Sequence, residues 1–188
     1  VDAVIFDEAH KLPEIATNYF GSELSTTAIR EVVESMRPIL MGKFKSAAPK
    51  GTSWDVITQT IKKSLYDFVL GLESAGVLEG DSRNIETISG MQGSTQHLEN
   101  AALVLEVLLE AAAPFVEMSD DLGVFIESGT AILQDMKQWV IWLKHAGMPM
   151  PPEQKPLVRW ISRSRSEARL TVTPLDIAEP FSRMMSLR

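Results

Sequence analysis

Trp54, Ile57, Ile61, Leu65, Phe68, Val69 and Leu72 recur at steps of three and four residues. At 3.6 residues per turn this spacing gathers all seven on one stripe of an α-helix, and such a stripe has to be covered by another element. The pattern predicts a helix that starts near Ser53 and stops at Gly76, where a glycine can take the left-handed conformation that ends a helix. Three further segments repeat the theme. Ser25 reads as an N-cap before Ile29, Val32, Val33, Met36 and Leu40, a stripe that Pro38 should kink or end because it lacks the N–H the helix needs. A third helix, from about Ser94 to Ala113, buries Leu98, Ala102, Leu105, Leu108, Leu109 and Ala112 before Pro114. The fourth is capped by Ser119, carries Asp120 and Asp121 at its positive end, and turns Phe125, Leu133, Met136, Trp139, Val140 and Leu143 inward until Gly147 and Pro149 close it. The fold class is therefore mainly α, with about four long helices.

The flanks have a different texture. Val4-Ile5-Phe6 is a short apolar run of β-preferring residues, the signature of a strand buried on both faces of a parallel sheet. Its sheet neighbours are missing, so Val1 to Phe6 is free to pair with C-terminal strands, to fray, or to join a second copy by its edge. Pro13 fits the first turn of a helix running to about Phe20, with Gly21 as its stop. Residues 42–51 look irregular, and 77–93 read as a connection with a short extended piece around Ile85 to Ile88. Met148 to Pro156 contains four prolines and reads as a semi-rigid linker. Beyond it, Leu157 to Ser162 and Ala168 to Thr173 read as two short strands around an Arg/Ser turn, and Pro174-Leu175-Asp176 begins a last helix carrying Ile177, Ala178, Phe181 and Met184. The division is 1–24, 25–150 and 151–188, and it suits an inserted module better than an independent enzyme.

Composition narrows the partners. With 188 residues, 45% of them hydrophobic, the chain can bury one substantial core. No apolar run approaches the roughly 18 residues of a membrane span, and the N-terminus lacks the pattern of a signal peptide. The missing initial Met suggests a piece of something longer. Zero Cys excludes disulfides, thiolate metal sites and thiol catalysis within these residues and is compatible with a reducing cytoplasm, the expected location. A net charge of −7 argues against strong non-specific nucleic-acid binding by this segment alone, so any such role must rest on a local patch.

The chemistry lies at the start. In open α/β sheets ligands bind at the carboxyl ends of strands, so Val4-Ile5-Phe6 running into Asp7-Glu8-Ala9-His10 delivers two carboxylates to such a site. This segment resembles motif II, the DEAH box, of superfamily 2 helicases, and Leu12-Pro13-Glu14 with Phe20-Gly21 narrows the resemblance to the DinG/YoaA/XPD-like branch. The resemblance implies that Asp7 coordinates Mg²⁺, that Glu8 polarises the water attacking ATP, and that His10 links the nucleotide site to neighbouring motifs. It also implies a helical arch domain inserted after motif II. The long helices match that insert in position and size, while Trp160 and Leu175-Asp176-Ile177-Ala178 resemble the return to the first motor domain. The fold expected on this basis is an arch-type helical insert flanked by a short N-terminal strand and a C-terminal two-strand element from the motor domain.

The same resemblance implies an ATP-dependent DNA helicase of the repair or replication type, moving five-prime to three-prime on single-stranded and duplex DNA. ATP and Mg²⁺ serve the intact protein. A [4Fe–4S] cluster is implied as well, but its Cys ligands are not in this chain. The phosphate-cradling G-x-x-x-x-G-K-[ST] is also absent, since Gly42-Lys43 is followed by Phe44 and has Arg37 where the first Gly should stand, so the piece alone is expected to be inactive.

Smaller signals compete for attention. Lys43, Lys45, Lys50, Lys62 and Lys63 form one basic region and Arg159, Arg163, Arg165 and Arg169 another; Lys43, Lys45, Lys62, Lys63, Arg163 and Arg165 are the candidate contacts to a single strand, with a solvated face as the alternative. Trp54, Trp139 and Trp142 lie on helical stripes and read as core, Trp142 being the one off the main stripe. Gly90-Met91-Gln92-Gly93 has the spacing of a nucleic-acid clamp loop without the flanking pattern and reads as a plain loop. His97 and His145 stand singly, without partners at ligand spacing, and read as surface or boundary residues. A second function, from a different class, is a helical docking module that binds a partner protein through exposed apolar surface at Trp142, Met148 and Met150.

Overall fold

A computed structural model of the chain describes residues 21–149 and 157–174. The strand expected at Val4–Phe6, the helices expected after Pro13 and after Pro174, and most of the proline-rich segment lie outside the described residues.

Among the described residues, four α-helices appear where the apolar stripes place them: α1 (Thr26–Lys43), α2 (Trp54–Ser74), α3 (Gln92–Ala112) and α4 (Asp120–Lys144). The starts of α1 and α2 are made by their caps. Ser25 and Ser53 are extended, and each side chain accepts a hydrogen bond from the backbone N–H three residues on, Ala28 at 3.0 Å and Val56 at 3.2 Å, satisfying one of the donors a helix start leaves orphaned. Gly76 ends α2 at φ +79°, while the Val77 N–H reaches back to the Leu72 carbonyl. All seven residues of the Trp54–Leu72 stripe are buried, as are the six inward residues expected of α3. On α4, Leu133, Met136, Trp139, Val140 and Leu143 are buried and Phe125 half-buried.

Among the described residues, four short strands accompany the helices: β1 (Ser22–Ser25), β2 (Ser82–Asn84), β3 (Leu157–Arg163) and β4 (Ala168–Pro174). They form one antiparallel sheet in the order β1-β4-β3-β2. Its inner face packs on the helices through Leu24, Ile161, Ala168, Leu170 and Val172, and these join the stripes of all four helices in a single hydrophobic core. A buried hydrogen bond from Ala168 N–H to Thr26 Oγ1 (3.1 Å) ties β4 to the first residue of α1. The mainly helical architecture of four long helices with a C-terminal two-strand element is thus present, and a short N-terminal strand is seen at Ser22–Ser25, while the one expected at Val4–Phe6 lies outside the described residues.

Of the two outcomes expected at Pro38, a kink or an end, the end does not occur, since α1 continues to Lys43: Pro38 forgoes one helical hydrogen bond, but continuation keeps Leu40 and Phe44 in the core. Three further local details depart from the sequence reading. The extended piece is Ser82–Asn84, and Ile85–Thr87 is a 3₁₀ turn. Ile85 and Ile88 are both buried, and a spacing of three brings two side chains to the same side of a 3₁₀ turn, whereas a strand would send them to opposite faces. Ser119 is the N-cap residue of α4 as expected, but its side chain makes no cap hydrogen bond; its carbonyl accepts from Leu122 and Gly123 N–H, and Asp120 and Asp121 supply negative charge to the first turn. Strand β1 was not expected, since Ser-Glu-Leu-Ser carries no strand signal; Leu24 is its one buried residue, and its partner β4 is over 140 positions away.

Candidate functional site

Asp7, Glu8 and His10, the expected nucleotide and metal residues, lie outside the described residues. Among the described residues no group of three or more acidic or imidazole side chains is placed to hold a metal ion. His97 is half-buried beside a polar groove between α2 and α3 that Asp55, Gln59, Lys63, Asp67 and Asn100 also line, and His145 caps the end of α4 with its Nδ1 2.9 Å from the Ile141 carbonyl. No helix among the described residues is long and apolar enough to cross a membrane.

The first basic region separates into two places. Lys43 is the last residue of α1, and Lys45 opens a 3₁₀ turn (Lys45–Ala47); both side chains are exposed, as is that of Lys50. Phe44 between them turns inward, stacks on Phe115 with ring centroids 4.6 Å apart, and accepts a 2.8 Å hydrogen bond at its carbonyl from Trp54 Nε1–H. That anchor fixes the α1–α2 corner and leaves its lysines in solvent. Lys62 and Lys63 lie more than two turns along α2 and are each paired, Lys62 with Glu34 of α1 at 2.6 Å and Lys63 with Asp67 at 2.5 Å.

The second basic region is split by the pleat of the hairpin. Arg159 and Arg163 point inward. Arg163 is 7% exposed and donates to the Val77 carbonyl (3.1 Å) and to Glu73 (3.0 Å), stapling β3 to the end of α2. Arg159 is buried, its guanidinium lying 4.8 Å from the ring centroid of Trp142 and 3.8 Å from Glu86. Burial lowers its pKa and Glu86 opposes that shift. Arg165 is exposed at the turn between β3 and β4, and Arg169 faces outward, 3.3 Å from Glu167 and 3.6 Å from Glu23.

Three tryptophans serve the interior. Trp54 and Trp139 are buried, and Trp142 is half-buried, edge-on to Trp139 at 5.1 Å and covered by Arg159. Of the apolar residues considered for docking, Met148 is exposed, Trp142 is largely occupied, and Met150 lies outside the described residues. Gly93 falls in the first turn of α3 and Met91 is buried, so Gly90–Gly93 is a helix start and no clamp loop. Trp160 was missed as a surface residue. It is 39% exposed on the outward face of β3, and the period of two along a strand, with Arg159 and Ile161 turned in, was the signal that could have found it.

No family model matches the chain. Over 187 residues it is 24% identical to the ATP-dependent DNA helicase YoaA of Haemophilus influenzae, an alignment covering 100% of this chain and 27% of the relative. Over 185 residues it is 26% identical to the ATP-dependent DNA helicase YoaA of Escherichia coli, covering 98% of this chain and 26% of that relative. The chain thus spans about a quarter of the length of the curated relatives it matches. Along essentially its whole length, this chain is similar in sequence to a segment of the DinG/YoaA-like helicases.

Proposed function

We propose that the chain is the part of an ATP-dependent DNA helicase that runs from the carboxylate pair of motif II through a helical arch. The observation that carries this reading is the alignment, over essentially the whole chain, with two relatives named as ATP-dependent DNA helicases. The topology supports the insert half of it. Strands β1 and β4 are antiparallel neighbours with Ser22 opposite Val172, so the backbone enters and leaves the described body side by side, as it must in a module set into a loop of another domain. In this reading residues 1–24 belong to the first motor domain and 25–150 to the arch, with 151–188 returning to the motor; the sheet, built from strands of all three segments, is the joint between them.

In the intact enzyme Asp7 would hold Mg²⁺ on the nucleotide and Glu8 would orient the attacking water, with His10 coupling the site to its neighbours. Hydrolysis powers translocation along DNA in the five-prime to three-prime direction. The arch contributes geometry, shaping the path of the single strand. Of the candidate cations, Lys43, Lys45 and Arg165 are free to meet phosphates, Lys62 and Lys63 would have to exchange a carboxylate for one, and Arg163 acts within the fold. The chain carries no Cys and so supplies no ligand to an iron–sulfur cluster.

The test is Glu8→Gln in the intact protein. It should abolish DNA-stimulated ATP hydrolysis while leaving the circular dichroism spectrum and melting temperature unchanged. Turnover at the parent rate would refute the assigned role.

A further inference from the structure

The outward face of the sheet is mostly polar, with one large aromatic at its middle and the partly buried Val158 two positions before it on β3. Across the four strands Glu23, Thr171, Trp160 and Asn84 stand in one row, and Ser25, Arg169, Ser162 and Ser82 in the next. A 3.0 Å hydrogen bond from Ser162 Oγ–H to Ser82 Oγ confirms that the second row shares a face. The inward positions of β3 are taken by Arg159, Ile161 and Arg163, so the core makes no use of Trp160, whose 39% exposure places a flat indole surface in water.

From this arrangement we infer that the outer sheet face is a stacking platform for single-stranded nucleic acid, with Trp160 meeting a base and Arg169 meeting the sugar-phosphate backbone. The inference rests on the helicase reading for the identity of the ligand and adds a site to it. Its chemistry favours a nucleobase over a protein surface. A protein-binding hot spot sits among several apolar side chains that exclude water, whereas the ladder neighbours of Trp160 are a threonine and an asparagine and its apolar neighbour along the strand is the partly buried Val158 alone. A stacked base asks only for a π surface and polar surroundings that can follow its backbone. Arg169 lies one row away, about 6.7 Å along the strand, with its guanidinium half-exposed and oriented by Glu23 and Glu167. Those carboxylates temper its charge, so stacking rather than phosphate attraction dominates, in keeping with the acidic chain as a whole.

The 188-residue chain labelled with 5-fluorotryptophan, titrated at low salt with an oligothymidylate of about 15 nucleotides, tests this directly. Its fluorine resonances are assigned by single Trp→Phe variants. The Trp160 resonance should shift and saturate with the oligonucleotide. Trp160→Ala should weaken binding by about 5- to 150-fold, the range for losing one base–aromatic stack, and Trp160→Phe should restore most of it. Glu23→Gln should tighten binding, and Arg169→Gln should reduce the slope of log affinity against log salt by about 0.7. An unmoved Trp160 resonance at saturation, unaltered affinity in Trp160→Ala, or no binding at all would overturn the inference. So would a dimer that Trp160→Ala dissociates without changing oligonucleotide affinity. The helicase reading fails separately, through unaltered ATP turnover in Glu8→Gln, and the fluorine experiment is indifferent to that result.

Discussion

At the scale of single residues, pairs that look equivalent in the sequence have opposite duties. Arg163 and Arg165 sit two positions apart in an Arg/Ser run. Arg163 is sealed between β3 and the end of α2, and Arg165 projects into solvent. Arg163→Ala removes a cation that satisfies the Val77 carbonyl and Glu73, and should cost about 2–3 kcal/mol in urea unfolding, while Arg165→Ala should stay within about 0.5 kcal/mol. Asp135 on α4 makes a prediction in pH. Desolvation raises its carboxyl pKa, so the folded state holds the proton more readily than the unfolded chain does and charged Asp135 costs stability once the pH exceeds the ordinary carboxylate range. Asp135 is an exposed residue, so solvent screens the effect, and Asp135→Asn should raise the melting temperature only slightly at neutral pH, with a gain that shrinks towards about pH 4.

At the scale of elements, the helices were legible because their information is local. A stripe repeating at 3.6 residues, a serine before it and a glycine after it specify α2 without reference to anything distant. Where two helices meet, sequence is silent. A Cβ on Gly71 of α2 would stand 2.7 Å from Ser94 Oγ and 3.3 Å from Ser94 Cα on α3, so this crossing depends on a missing side chain. Gly42, in the last turn of α1, has nothing within 4 Å of the same position. Helix propensity alone would make both Gly→Ala changes stabilising by up to about 1 kcal/mol. Gly42→Ala should stabilise by about 0.5 kcal/mol, whereas Gly71→Ala should destabilise by about 1 kcal/mol because overpacking outweighs the propensity gain; thermal denaturation of the two variants separates them. Pro38 and the Ile85–Thr87 turn teach the same lesson, since burial of Leu40, Ile85 and Ile88 overrode the local signals.

At the scale of the whole molecule, the hairpin of β3 and β4 is part of the helical body's core. Ile161, Leu170 and Val172 close the open side of the helices, and β1 from the start of the body locks onto β4. A chain ending at Pro149 keeps all four helices but loses that cover. It should bind a hydrophobic dye and lose the single sharp urea transition expected of residues 21–174. An equally cooperative transition in the shortened chain would show that the helices hold a core without the sheet.

By itself the sequence determined the four helices, the hairpin, the likeness of Val4 to His10 to a helicase motif, and the cations eligible to meet a nucleic acid. Each of these is written in neighbouring residues. Only the tertiary structure decided that Ser22–Ser25 is a strand, that two of the hairpin's arginines are interior, that Trp142 is covered and that Trp160 is presented. Those outcomes depend on which distant segment supplies the other side of each contact: Leu170 opposite Leu24, Glu73 and Val77 around Arg163, Trp142 beneath Arg159, and polar neighbours beside Trp160. A local pattern records that a side chain needs a partner, and the fold alone records which partner it finds.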